Sequence, residues 1–183
     1  MAPKPVVVAK TQTLGSDTIQ AAINRLAESI SERHRVTPNL ILLGIANGGI
    51  TLARRIAKRL NSAKVGTLDV SFHRDDIGRN PIPKEFAPTS IPADVHGATV
   101  ILMDDVLFSG RTVKAALDEL FDHGRPAKVE LAVLVERPGR MLPVAADYVG
   151  LKLDTTADEK VVVRLDNQSP KADYIEVHHQ AKR

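Results

Sequence analysis

The stretch Val100-Ile101-Leu102-Met103-Asp104-Asp105-Val106-Leu107-Phe108-Ser109-Gly110-Arg111-Thr112 holds the most informative pattern in the chain. Four apolar residues, 100–103, read as a buried strand. Two acids follow at once, then a small-residue turn at Ser109-Gly110. After it Val113, Ala116, Leu117, Leu120 and Phe121 recur at helical spacing. A strand that ends in a glycine-containing turn and feeds a helix leaves backbone N–H groups unpaired at the helix start, which suits a phosphate. The hydroxyls of Ser109 and Thr112 can add hydrogen bonds. Asp104 and Asp105 stand just before this cradle, where bare carboxylates repel an anion. Their place makes sense if they face sugar hydroxyls or a bound metal.

The two common nucleotide-binding fingerprints are absent: there is no G-x-x-x-x-G-K-[ST], and no G-x-G-x-x-G after a strand. A second strand–turn–helix unit lies upstream. Leu40 to Ile45 is an apolar run of the kind found in a parallel sheet covered on both faces. It ends in Ala46-Asn47-Gly48-Gly49, and a helix is expected over 50–60 with Ala53, Ile56 and Leu60 inward and Arg54, Arg55, Lys58 and Arg59 outward. Two such units predict two anion sites at one sheet edge, because ligands collect at the carboxyl ends of parallel strands.

The remaining elements follow from periodicity and punctuation. Ser16 or Asp17 is the expected N-cap of a helix to about Arg33, with Ile19, Ile23, Leu26 and Ile30 on one face. Residues 65–72 read as a strand. They run into His73-Arg74-Asp75-Asp76 and an irregular, proline-rich segment, so residues 73–98 are expected to form a lid over the site. Further strands are expected at 128–135, 147–153 and 160–165, with an edge strand at 173–177. The turn Glu136-Arg137-Pro138-Gly139-Arg140 falls at the same sheet edge as the anion sites. The alternation of strands and helices predicts an α/β fold: a mainly parallel, doubly wound sheet with helices on both faces.

Composition sets limits. At 183 residues with 43% hydrophobic content, the chain reads as a single domain over 1–183, with 1–15 and 178–183 flexible. Aromatic residues make up 3% and there is no Trp, so the core has to be aliphatic. The net charge of +3 suits a small anionic substrate and does not by itself argue for nucleic acid. With no Cys, disulfides, thiolate catalysis and Cys-ligated metals are excluded. No apolar run approaches the ~18 residues of a membrane span, and no signal-length segment opens the chain. The expectation is a cytoplasmic protein with no membrane partner.

Residues 100–112 resemble the 5-phosphoribosyl-1-diphosphate (PRPP) loop of type I phosphoribosyltransferases. The match narrows when Leu68-Asp-Val-Ser-Phe-His-Arg-Asp-Asp76, Leu131-Ala-Val-Leu-Val135, Leu142-Pro143 and Ala146-Asp-Tyr-Val-Gly150 are added. Together these pieces resemble the PyrR family, bacterial regulators of pyrimidine operons that also act as uracil phosphoribosyltransferases. Phe108 contributes: many other phosphoribosyltransferases carry a small residue there, and a bulky one is PyrR-like.

The resemblance implies a type I phosphoribosyltransferase fold and the reaction of PRPP with uracil to give UMP and diphosphate, with Mg²⁺ as cofactor. It implies that Asp104 and Asp105 hold the ribose hydroxyls and that Val106, Leu107, Phe108, Ser109, Gly110, Arg111 and Thr112 bind the PRPP phosphate. Ala46, Asn47, Gly48 and Gly49 would bind the diphosphate. Arg74, with Asp75 and Asp76 in the lid, would serve catalysis. Phe108, Arg137 and Arg140 would face the base. No metal ligand set among the protein side chains is implied, and a homodimer or higher homo-oligomer is.

Three departures qualify the resemblance. PyrR-like proteins usually carry a basic residue in the turn that here reads Ala46-Asn47-Gly48-Gly49. Asn24 and Glu28 replace the Thr and His that the regulators use toward RNA, and Pro138-Gly139-Arg140 replaces Gly-His-Arg. The last two argue against RNA binding and attenuation. The expected function is therefore the enzyme, the alternative being a nucleotide-sensing RNA-binding regulator with weak or no catalysis. A purine-base phosphoribosyltransferase is a third reading.

Overall fold

The computed structural model describes residues 6–8, 13–60, 63–71 and 88–179. Six strands form one sheet: β1 (Val6–Val8), β2 (Leu40–Ile45), β3 (Lys64–Leu68), β4 (Thr99–Leu107), β5 (Lys128–Glu136) and β6 (Tyr148–Leu153). Their order is β1-β6-β5-β4-β2-β3, and every pairing is parallel. Helices α1 (Ser16–Arg33) and α2 (Ala46–Ala57) cover one face and α3 (Arg111–Asp122) the other. Alternate strand residues therefore bury in opposite directions. Leu42, Ile101 and Leu134 pack with Ile23, Leu26 and Ile56, whereas Leu43, Leu102 and Val133 pack with Val113, Ala116 and Leu120. This double burial is why β2, residues 100–103 of β4 and residues 131–135 of β5 are unbroken apolar runs.

Several expectations shift. β4 does not stop at Met103; paired with the long β5, it keeps its register through Asp104↔Val133 to Leu107↔Glu136, so both acids belong to the strand end. α2 starts at Ala46, not at Ile50, and Gly48-Gly49 form part of its first turn. α1 is preceded by Gly15 with no side-chain cap, and Asp17 sits in its first turn, where the helix dipole favours an acid. Residues 88–98 of the expected lid are fastened to the sheet: Thr67 and Ser90 exchange two backbone hydrogen bonds of 2.9 Å, and Val95 and Ala98 are buried. Arg74, Asp75, Asp76 and the rest of 72–87 lie outside the described residues.

The last two strands do not extend the main sheet. β7 (Glu159–Arg164) and β8 (Tyr174–His179) pair antiparallel as a separate hairpin, with a 3-10 turn at Pro170–Ala172 between them. Arg55, expected outward, is buried instead because it ion-pairs with the fully buried carboxylate of Asp173. Asp173 also accepts Gln20 Nε2 at 2.8 Å and the Asp166 amide at 2.8 Å. Thr51 Oγ1 donates to Asn167 Oδ1 at 2.8 Å. These bonds, with Ile175 paired to Leu14, fasten the hairpin against α1 and α2.

A second polar cluster lies at the opposite end of the sheet. Buried Glu130 is bonded to His34 Nε2 at 2.8 Å and to the Tyr148 hydroxyl at 2.7 Å, and ion-paired with Arg33 at 3.2 Å. Lys128 Nζ completes the set at 2.5 Å. Burial pushes this carboxyl up, but the bonds from Lys128, Tyr148 and His34 outweigh it and hold the pKa at about 2.

Candidate active site

Three loops meet at the carboxyl end of β4. The first is the start of α2. An ideal Cβ on Gly48 would lie 2.2 Å from Asp105 Oδ2, so only glycine lets this turn approach the acid so closely. The second is 108–110, where Gly110 takes φ +92° ahead of α3. The Ser109 hydroxyl accepts the Arg111 amide at 3.3 Å, and Lys114 N–H reaches back to Gly110 O at 2.9 Å. The amides of Thr112 and Val113 thus have no acceptor within the helix.

The third loop, 137–144, clamps the second. Arg137 N–H bonds Leu107 O at 3.1 Å, and the amides of Met141 and Leu142 both reach Ser109 O, at 3.0 and 3.1 Å. The Arg140 guanidinium bonds Phe108 O and Glu136 Oε1, and its Nε reaches Val144 O at 3.1 Å. The Arg137 guanidinium lies 4.3 Å from the Phe108 ring centroid and bonds Glu159 O and Thr156 O, which ties the hairpin in as well. Its Nε has no acceptor among the described residues. A cavity of 370 Å³ opens beside this loop, lined by residues 136–140 and 152–154. Sequence reasoning missed the clamp, since its amide bonds to Leu107 O and Ser109 O run from backbone to backbone, and the acceptors of its two arginines are mostly backbone carbonyls.

The acid pair is electrostatically costly. Asp104 is 5% exposed; burial pushes its carboxyl well above the usual Asp range, and the neighbouring Asp105 charge adds to this. Asp105 is also raised by burial, offset in part by hydrogen bonds from Asp104 and the Val106 amide. Asp104 Oδ1 accepts the Asp105 amide at 3.0 Å. Buried carboxylates in this state gain from ligand hydroxyls or a cation. Among the described residues no group of three or more His, Cys, Asp or Glu is placed to hold a metal.

Of the sequence candidates, Gly48, Asp104, Asp105 and the 106–112 loop come together, with Phe108, Arg137 and Arg140 forming the adjoining wall. Gly49 packs against Met103 O of the same strand end. Asn24 and Glu28 lie apart, in a 540 Å³ groove on α1 that also contains Glu32, Arg35 and Arg59. No helix among the described residues is long and apolar enough to cross a membrane.

An acid pair at the end of a central parallel strand, followed by a glycine turn that opens a helix, defines a class. The chain belongs to the phosphoribosyl transferase domain family, whose model matches residues 15–168. A hypoxanthine-guanine phosphoribosyltransferase from Bacillus anthracis shares the fold, with a TM-score of 0.66 at 19% identity over 92% of this chain and 99% of that one. Within the family it groups with the PyrR proteins. It is 47% identical to the bifunctional protein PyrR of Roseiflexus sp. over 84% of this chain and 87% of that protein. The bifunctional protein PyrR of Bacillus subtilis is 42% identical over 86% and 91%.

Proposed function

We propose that this chain is a uracil phosphoribosyltransferase that converts PRPP and uracil to UMP and diphosphate. The observation that carries the proposal is the convergence of Asp104 and Asp105 with the first turns of α2 and α3. The pyrimidine N1 attacks C1′ of the ribose, the C1′–O bond to diphosphate breaks, and the N1 proton is lost. Asp104 and Asp105 accept the ribose hydroxyls, which relieves their burial penalty, and their charge favours the cationic character that develops on the sugar. The Thr112 and Val113 amides receive the 5′-phosphate at the start of α3.

Phe108 supplies an apolar face for the base. Arg140 has its donors engaged by Phe108, Glu136 and Val144, whereas Arg137 keeps Nε for an acceptor. Arg74, Asp75 and Asp76, which lie outside the described residues, are proposed to act on the diphosphate side of the reaction. The donor set fits Mg²⁺ brought in with the diphosphate, because two desolvated acids, Asp104 and Asp105, would gain from positive charge beside them. When bound, the ion neutralises the leaving group.

The test is incubation with PRPP and Mg²⁺ and, in turn, uracil, hypoxanthine, guanine, adenine or orotate, with Asp105→Asn alongside. UMP formed by the wild type and lost in the variant supports the proposal. IMP, GMP or AMP in its place moves the assignment to a purine base. The regulator reading draws on the lack of any cation in residues 46–49 and on the exposed Arg54, Lys58 and Arg59 of α2 and its C-terminal end. Nucleotide binding without turnover, together with salt-steep retention of a hairpin RNA, would favour it.

A further inference from the structure

The cavity in front of α2 has a cationic wall to which the reaction above gives no role. It encloses 390 Å³, with Gly48 and Asp105 among its lining residues. Arg54 from α2 and Arg164 from β7 also line it, with Thr51, Thr67 and Asn167. Both arginines are exposed, and among the described residues neither guanidinium has a hydrogen-bond or ion-pair partner. Their neighbour Arg55 behaves differently, being committed to Asp173.

We propose that Arg54 and Arg164 bind the diphosphate end of PRPP, so that the hairpin contributes to substrate binding. The naming of the ligand rests on the phosphoribosyltransferase reading. Residues 46–49 carry no cation, so the first turn of α2 offers a multiply charged anion no full positive charge. Asp105, the one acid among the described residues lining the cavity, repels that anion unless a hydroxyl or cation stands between them. Two guanidiniums, each able to take two phosphate oxygens, supply the missing charge. Arg164 is also well supported. Two residues on, Asp166 O accepts Arg55, and beyond it Asn167 accepts Thr51, both donors coming from α2. The hairpin thus carries its cation on a strand anchored to the helix that opens the cavity.

Titration calorimetry with inorganic diphosphate and Mg²⁺ tests this directly, and steady-state kinetics follows it. Arg164→Gln and Arg54→Gln are each expected to weaken diphosphate binding about tenfold or more, the loss typical of one charged contact. KM for PRPP should rise while KM for uracil holds. Arg164→Lys should recover part of the loss. Lys160→Gln, on the same strand outside the cavity, should leave binding unchanged. Diphosphate affinity within twofold of wild type in Arg164→Gln overturns the proposal. So does an equal loss in Lys160→Gln, which would mean a diffuse field and not a contact. If the wild type makes no nucleotide from any base yet Arg164→Gln loses diphosphate, the reaction falls and the anion site stands. If UMP forms and Arg164→Gln is kinetically silent, the reaction stands and this site falls.

Discussion

Replacing Gly48 by alanine should separate activity from stability. The new Cβ would lie 2.2 Å from Asp105 Oδ2, 2.5 Å from its Cγ and 2.8 Å from its Cβ. Heavy atoms rest at about 3.5 Å, so the carboxylate has to retreat by more than about 1 Å. A displacement of about 1 Å in a positioning group costs on the order of 10²-fold, equivalent to about 2.7 kcal/mol of transition-state stabilisation. The fold is affected differently. Alanine for glycine within a helix gains roughly 0.5–1 kcal/mol, which offsets the push on β4. Net stability should stay within about 1 kcal/mol of wild type, a Tm change of no more than about 4 °C. The assay is kcat/KM for PRPP at saturating uracil, paired with a thermal melt. Activity within threefold of wild type would show that the approach of α2 does not position Asp105. A Tm loss above 10 °C would show that unfolding, and not misplacement, removes activity.

Other perturbations follow from the buried charges. Asp104→Asn should abolish turnover yet raise Tm near pH 7.5. With its folded pKa raised, the Asp104 carboxyl contributes stability below the ordinary Asp value and loses it as pH climbs toward the raised one, so the variant's advantage should shrink in acid; a lower Tm at pH 7.5 would contradict this. Glu130 is the opposite case. Its pKa drops from 4.5 to about 2, so its contribution is present above pH 4.5 and fades as pH falls toward 2. That is roughly 3 kcal/mol, and acid titrations of Glu130→Gln should be flatter across this window. Asp173→Ala strands the buried Arg55 charge, and such breaks cost about 3–5 kcal/mol. Differential scanning calorimetry should register roughly 6–20 °C, and a drop under 3 °C would mean that Arg55 finds another partner.

The residues that bury on both faces were legible because a covered parallel strand needs an unbroken apolar run, as in 40–45 and 131–135. The acid pair and the glycine turn of 104–110 were legible because hydroxyl and phosphate recognition restrict residue type. What the sequence hid depended on distant partners. Arg55 resembles its exposed neighbours Arg54, Lys58 and Arg59, and only Asp173, far along the chain, draws it inward. The early start of α2 depends on contact with β4, and the hairpin became a separate sheet because it docks on α1 and α2. No periodicity within 159–179 records that docking.

The clamp of 137–144 on 107–110 also bears on how base preference could change. The segment that would touch the base is bonded, amide by amide, to the one that would hold the phosphate. Residues 136–140 therefore cannot be exchanged as a specificity cassette without loosening the grip on a substrate common to every base. A graft that carries 107–110 and 136–144 together should transfer preference intact, whereas a graft of the shorter loop alone should mainly raise KM for PRPP. Drift toward a new base would have to begin at Phe108 or in the hairpin, where a side chain can change without breaking the clamp's backbone bonds.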